Sequence, residues 1–431
     1  MTSDSRGFAW WKDASESFDT RVGWYLFNLT NADDFRLGEK PVLEEIGPFW
    51  YRVNITKKNV VFHGNGTTSF EEHRVFFFDS ANSVYDQDTN ITIVNVPLMA
   101  ALNKGEKMSG FARMALGLAL GNMEDAERPV ETYTVRELTY GGRPNTLIAL
   151  AHLTESIETS VSDEQDKSNR FGFAVDQNDT NPGIFNMYTG ETSIKDLNRI
   201  HSVNGEHIRR IWQEPKCNVV DGTFGTLKPP MDESGSTRIY VPDMCRTITT
   251  RYQRDVAWHD IRLRRFNLTI DNFQSSEDNP ENFCYDREFR QPSGIAELAP
   301  CKKGAPLFIS LPHFLQADPL FESRVTGMKP NASKHEFIID HEPTTGMTVR
   351  VRGRIQASIF IMPSDLIEAA ENLPKVVLPL FWQEMYVEGG PTIVEFLSMI
   401  DDYLNVATLV IKVLAVLSFA MAMIGIAFLV G

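Results

Sequence analysis

The chain has 431 residues, a net charge of −15, 42% apolar and 23% charged residues, and four cysteines. That balance is globular, and it excludes a disordered or collagen-like chain. The acidic charge argues against nucleic-acid binding and against a general attraction to anionic membranes.

In chain order, Met1–Val22 is peppered with charges (Asp4, Arg6, Lys12, Asp13, Glu16, Asp19, Arg21) and has no apolar core of the signal-peptide kind. A first span or signal upstream of Met1 is therefore expected, and by the same token a tail beyond Gly431. Runs rich in aromatic and β-branched residues follow at Trp24–Asn28, Phe49–Ile55, Asn59–His63, Glu72–Phe78 and Asn90–Val96, separated by turn residues such as Gly64-Asn65-Gly66. Pro97–Asn103 and Lys107–Gly121 are rich in Ala, Leu and Met and predict helices, as does the short stretch Thr134–Thr139. Further strands are expected at Arg238–Val241, Thr247–Tyr252, Leu307–Ser310, Phe337–Asp340, Thr348–Val351 and Gln356–Met362. Ser364–Asn372 opens on an N-cap pair and predicts a helix, and Pro391–Leu404 a helix running into the last segment. Val406–Val430 is apolar except for Lys412, Ser418 and Gly425 and is long enough to span a bilayer. Lys412 lies close enough to one end for its stem to reach the headgroups.

The expected architecture is mostly β (α+β): an ectodomain over residues 1–404 with a helical apex near 97–140, then a transmembrane helix over 405–431. Sequons begin at Asn28, Asn54, Asn65, Asn90, Asn178, Asn267 and Asn331. Chance would supply roughly two or three, so the excess points to a glycosylated face in a secretory lumen or outside the cell. Cys217, Cys245, Cys284 and Cys301 all fall in one segment and suggest two disulfides. Spacing alone leaves three pairings open, and it offers no zinc-ligand pattern.

No catalytic or metal-binding constellation stands out, and no cofactor is implied. His335-Glu336 precedes His341, but the spacing is not that of a metalloprotease helix and the intervening residues predict a strand. Adjacent carboxylates such as Glu44-Glu45 and Asp401-Asp402 need not converge on a substrate. Lys107–Gly121 is apolar nearly all round, with small residues at Gly117 and Gly121. It fits a buried bundle helix, whose glycines would let another helix approach closely, or an exposed apolar contact surface. The contact candidates on it are Met108, Phe111, Met114, Ala115 and Leu118.

Several blocks resemble the class B scavenger receptor family, which includes the platelet fatty-acid translocase, the high-density-lipoprotein receptor and the lysosomal integral membrane protein. They are Phe27-Asn28-Leu29-Thr30-Asn31 with Gly47-Pro48-Phe49-Trp50-Tyr51-Arg52-Val53, and Thr134-Val135-Arg136-Glu137-Leu138-Thr139-Tyr140-Gly141. Cys217-Asn218, Asp221-Gly222-Thr223 and Pro242-Asp243-Met244-Cys245-Arg246 follow. The most specific is Cys301-Lys302-Lys303-Gly304-Ala305-Pro306, continued by Ser310-Leu311-Pro312-His313-Phe314, by Gly327-Met328-Lys329-Pro330-Asn331 and by Asp340-His341-Glu342-Pro343-Thr344-Thr345-Gly346.

The resemblance implies a β-barrel-like core under an apical helical bundle, an internal lipid tunnel to the bilayer, and two spans. It pairs Cys217 with Cys284 and Cys245 with Cys301; a third family disulfide is missing, since Tyr285–Glu297 has no Cys. It also implies a non-enzymatic receptor whose partners are lipids or lipoproteins, the membrane, and protein ligands at the apex. The compartment would be the plasma membrane or the lysosomal membrane. Two departures stand out. Where fatty-acid-binding members carry apical lysines, this chain has Glu124-Asp125-Ala126-Glu127-Arg128, which favours neutral lipids over carboxylates there. The apical histidine with which the lysosomal branch binds an acid hydrolase has no counterpart in Lys107–Gly121, although Cys301–Pro306 and Gln316-Ala317-Asp318 look close to that branch. A lipid receptor-transporter and a protein-sorting receptor therefore both remain as expectations.

Overall fold

The computed structural model describes residues 5–151, 169–175, 177–181, 183–232, 234–285, 289–302 and 304–430, the last six as backbone only. Met1–Asp4 and Lys303, which belong to stretches discussed above, lie outside the described residues.

The first strands are β1 (Phe18–Leu29), β2 (Leu43–His63), β3 (Thr67–Phe78), β4 (Asn90–Val94), β5 (Val130–Thr134), β6 (Arg143–Pro144), β7 (Arg170–Phe171), β8 (Ile184–Tyr188) and β9 (Ile200–Val203). They are followed by β10 (Ser236–Val241), β11 (Arg246–Trp258), β12 (Ile261–Leu268), β13 (Ala296–Glu297), β14 (Leu307–Ser310), β15 (Ile338–His341), β16 (Thr348–Ile361) and β17 (Val376–Gly389). One sheet takes most of them in the order β10-β11-β12-β15-β16-β17-β1-β2-β3-β8-β9, with β13 and β14 attached beside β16. Every ladder in it is antiparallel. The register runs Phe18↔Gly389 to Leu26↔Phe381 between β1 and β17, and Arg350↔Glu388 to Ile361↔Val376 between β16 and β17.

The two ends of this sheet meet. Thr223 bridges Arg199 beside β9 on one side and Ile239 of β10 on the other. The seam is held by Ile200 N–H to Gly222 O (2.9 Å), Thr223 N–H to Arg238 O (2.8 Å) and Tyr240 N–H to Thr223 O (3.1 Å). The sheet is therefore a nearly closed barrel, which removes most of its reactive edge. Cys217 sits against Cys284 with Cα atoms 6.4 Å apart, and Cys245 against Cys301 at 5.8 Å, so both cross-links flank the seam.

Several strands are longer than the local sequence suggests. Phe49–Ile55 and Asn59–His63 are parts of β2, joined through a bulge between Lys58 and Val61 where Asn59 adopts φ 51°. Asparagine tolerates that left-handed geometry, which is also why it reads as a turn. Gly353 likewise hides the continuity of β16. Strand β17 was not expected at all because it contains Pro379, which lies next to a register shift between Ala357 and Ser358. The short helix expected at Thr134–Thr139 is present from Val135, directly after strand β5, and widens at Glu137–Gly141, whereas Ser364–Asn372 keeps only one short turn, Glu368–Ala370.

The C-terminal helix runs unbroken over Pro391–Val430. Its first turns are anchored: Ile393 (0% exposed) and Leu397 (2%) pack on Trp258, Ile261, Leu263, Met347 and Val349. From Val406 to Ile424 the apolar side chains turn outward, with mean hydropathy 2.3 over the richest window. The chain thus leaves the barrel rigidly into a span of bilayer length.

Gly222 stands at the seam with φ 106°, and an added Cβ would lie 3.0 Å from the Arg238 carbonyl. Gly222→Ala is expected to cost about 1–3 kcal/mol. Hydrogen exchange should then speed up selectively at residues 200–203 and 238–240. Uniform exchange across the barrel would show that the seam is not a separate weak point.

Candidate functional site

The apex is built on a helical hairpin. Helix α1 is the short N-terminal helix Arg6–Lys12 and α2 covers Ala32–Arg36; the hairpin itself is α3 (Val96–Glu106) and α4 (Gly110–Leu120). Asn95 caps α3, its Oδ1 accepting from Leu98 N–H at 3.1 Å, while its amide donates to Asp125 O and Arg128 O. Leu98, Met99 and Leu102 of α3 drop into the main core.

Helix α4 is tied down along one face only. Arg113 donates to both oxygens of Glu106 (3.0 and 3.2 Å) and to Asp365, and Ser364 Oγ donates to Glu106 at 2.7 Å. A Cβ on Gly117 would come within 3.3 Å of the Leu366 carbonyl, and one on Gly105 would collide with the Leu366 side chain. Gly117 thus seats a loop, not the neighbouring helix that a G-x-x-x-G spacing suggests, while Gly105 of α3 makes room for Leu116 of α4 as well as for Leu366. With Leu120 alone fully buried in α4, the bundle-core account of this segment is overturned.

The opposite face carries an apolar ridge. Phe111 is 79% exposed, Met114 56% and Leu118 64%, with Ala115 exposed among them and Met108 half-buried at the bend. The i, i+3/i+4, i+7 spacing puts these side chains in one row. A row of large apolar groups facing water is costly unless something covers it.

The acidic segment beside the ridge is partly spent on structure. Asp125 Oδ2 accepts from Thr146 N–H (2.9 Å) and Thr146 Oγ1 (2.5 Å), and Glu124 pairs with Arg128 at 2.6 Å. Its net repulsion of anions is smaller than the sequence alone implies.

Beneath the apex the barrel holds a column of rings. Trp24 meets Phe381 at 4.9 Å and Tyr140 at 5.9 Å between centroids, Phe173 meets Phe381 at 4.5 Å, and Tyr140 stacks on Phe76 at 4.3 Å. Further along lies a polar knot of buried His313 and His335 with Glu45 at its exposed edge, joined from segments far apart in the sequence. Glu45 accepts from Trp382 Nε1 (2.7 Å) and contacts His313 Nε2 (2.5 Å); His313 stacks on His335 at 4.5 Å. The Nδ1 atoms of His313 and His335 accept backbone N–H groups of Lys329 (3.1 Å) and Asn331 (3.0 Å). Glu45 and the Ser310–Phe314 block were visible as motifs, but 268 residues separate Glu45 from His313 and nothing local couples them.

Of the sequons, Asn54, Asn65, Asn90, Asn178 and Asn331 are exposed, whereas Asn28 and Asn267 are half-buried, Asn28 accepting from Thr92 N–H at 2.8 Å. His341 is buried in β15, which rules out a shared helical metal face with His335; no metal-holding cluster occurs among the described residues.

A model of the CD36 family matches residues 1–431. The chain belongs to the CD36 family. Among its relatives, scavenger receptor class B member 1 of Bos taurus is 31% identical over 387 residues, covering 88% of this chain and 72% of the relative. Lysosome membrane protein 2 of Rattus norvegicus is 29% identical, covering 84% and 73%, and sensory neuron membrane protein 1 of Helicoverpa armigera is 28% identical, covering 94% and 78%. A nearly closed barrel carrying one apolar helix of membrane length therefore belongs to a family of membrane receptors.

The knot makes stability pH-dependent. Burial, and then the adjacent His313, push His335 down to about 4; burial and Lys228 push His341 to about 3. In the folded chain both stay neutral while the unfolded chain takes up protons near pH 6.5. Stability is thus fully present above about pH 6.5 and is lost as pH falls towards 4, by roughly 2–3 kcal/mol for His335. Burial raises Glu45, but its hydrogen bonds from His313 and Trp382 outweigh that and hold it below the usual carboxylate range, adding a loss at still lower pH. Melting measured from pH 7 to pH 4 should show this fall, and His335→Gln should flatten it. An unchanged slope would remove His335 from the explanation.

Proposed function

We propose that this chain is a membrane-anchored, scavenger-type receptor that captures lipid or lipoprotein ligands at its apex and passes lipid through the barrel interior to the membrane. The observation carrying this is the α4 ridge: Phe111, Met114 and Leu118 exposed in a row on a helix whose other face is fastened by Arg113 and Leu366. Covering such side chains stabilises a complex by about 1–2 kcal/mol each, before the cost of association. The aromatic column below is the candidate lining of the lipid route, and the anchored C-terminal helix ends that route at the bilayer. The exposed sequons fit a glycosylated, lumenal or extracellular surface. No covalent chemistry or cofactor enters this scheme.

Relatives named for a scavenger receptor and for a lysosome membrane protein support two compartments, and a protein-sorting receptor of the lysosomal membrane is the second reading. Its specific support is the same ridge, which would serve a protein partner equally well. Any pH-switched release at the ridge would need a titrating group outside α4, which has no histidine.

Lipid extraction and mass spectrometry on the full chain from animal cells decides between them. Stoichiometric lipid is expected; a folded, empty chain that takes up neither sterol nor fatty acid would transfer the proposal to protein binding. Phe111→Asp should lower ligand capture roughly tenfold while leaving the melting temperature nearly unchanged, because the side chain is in water already. Wild-type capture by the folded variant would refute the role of the ridge.

A further inference from the structure

Among the exposed sequons, Asn65 lies in a turn, Asn90 opens β4, Asn178 lies in a loop and Asn331 caps a short helix. Asn54 differs from them in standing mid-strand, in β2. Side chains alternate across a strand, and Tyr51 and Val53 are buried in the main core. Trp50, Arg52 and Asn54 therefore point outward. The pairings Arg52↔Phe77 and Asn54↔Val75 put Val75 and Phe77 of β3 on that same outer face, while Phe76 and Phe78 pack on the core.

Phe77 is 46% exposed, a bare ring on the flank of the barrel. Diagonal neighbours on an antiparallel ladder lie about 7–8 Å apart, so this ring is within reach of a group carried by Asn54. Arg52, directly opposite Phe77, is exposed and has no ion-pair partner among the described residues. The Asn54 amide makes no side-chain hydrogen bond among them either. By contrast, the Oδ1 atoms of Asn65, Asn178 and Asn331 accept the backbone N–H groups of Thr67, Phe76 and Ser333. Farther along the outer face the Trp50 ring lies over Gly23, where an added Cβ would fall 2.9 Å from it, and meets Tyr386 at 6.2 Å between centroids.

One bare ring beside one guanidinium is too small a surface for a protein partner, whose stable interfaces bury about 800 Å² per side. It suits a sugar. The C–H face of a pyranose covers an aromatic ring and excludes water from it, while the sugar oxygens accept from a guanidinium. A sugar tethered to Asn54 needs little affinity of its own, because the tether keeps its local concentration high. We propose that Asn54 is glycosylated and that its first sugar, an N-acetylglucosamine, docks on Phe77, with Arg52 donating to the glycan and later sugars running towards Trp50. The oligosaccharide comes from a lipid-pyrophosphate donor: the bond from Asn54 Nδ2 to the sugar C1 forms, the C1–O bond to pyrophosphate breaks, and the amide proton leaves with the pyrophosphate. The docked glycan clamps β2 to β3 from outside and covers the apolar side chain on this flank. This rests on the reading of a glycosylated lumenal or extracellular surface, and gives one glycan a structural task.

The test uses the full chain from animal cells. Glycopeptide mass spectrometry measures occupancy at each sequon. Hydrogen exchange over residues 50–56 and 74–78 is then followed in the wild type, Phe77→Thr, Thr56→Ala and the double variant. Thr56→Ala abolishes the sequon and keeps Asn54, and Asn54→Gln supplies the same glycan-free background by a second route. Asn54 is expected to be occupied, and Phe77→Thr to speed exchange about fivefold with the glycan present and less than about twofold without it. Equal acceleration in both backgrounds would make Phe77 an ordinary strand residue and overturn the docking. Asn54 bare while other sequons carry glycan would overturn it too, and leave the receptor reading intact. Every sequon bare would sink the lumenal or extracellular orientation and the docking together.

Discussion

Closing a large antiparallel sheet on itself is the constraint from which the other features follow. A barrel needs its first and last strands to meet, and here β9 and β10 do so only through Thr223 and a few hydrogen bonds. Such a seam is weak compared with the long ladders of β1, β2, β16 and β17. Both cysteine pairs lie beside it, with partners 67 and 56 positions apart in sequence, so they restrict the unfolded chain most where the folded one is least secured. Chain topology then places β1 and β17 side by side, which brings Phe18 next to Gly389 and leaves the C-terminal helix at one end of the barrel.

The same economy of packing governs the helical hairpin and its apolar ridge. Leu98, Met99 and Leu102 of α3 join the same core as Trp24, against which Phe173, Phe381 and Tyr140 pack, while α4 buries only Leu120 and otherwise stays outside it. Gly105 and Gly117 let Leu366 wedge against it, and Arg113 locks it to Glu106 and Asp365. Fixing one face of α4 in this way leaves its other face in water. The apolar ridge follows from how the helix is fastened, as well as from its composition.

Charge is distributed with similar economy. Carboxylates outnumber cations overall, but many are consumed internally: Asp340 is fully buried between Arg265 and Arg350, and Glu45 is held by Trp382 and His313. A buried charge such as Asp340 does little for net stability and much for specifying one register, because a slipped strand would leave it unpaired. An exception is the cavity where α3 ends, around which Lys107, Arg290, Arg324 and Lys375 gather beside Phe289 and Phe360.

Much of this was legible in the sequence because it depends on local or periodic signals. The apolar span, the β-rich pattern, the sequons and the two apical helices need only neighbours in the chain to be recognised, and ordered motif blocks pointed to the family. What escaped depends on partners far apart. Strand β17 was hidden by Pro379, whose missing N–H costs nothing only at a register shift that pairing with β16 creates. The Glu45–His313–His335 knot and the ring of Lys107, Arg290, Arg324 and Lys375 join residues from distant segments, and no spacing rule reaches across them. By itself the sequence determined the β-rich class, many of the strands, the two apical helices and the span, since backbone preference and side-chain periodicity are local properties. Only the tertiary structure decided which face of α4 meets water and which charges share a cavity, because those outcomes depend on the order in which a closed sheet brings its strands together.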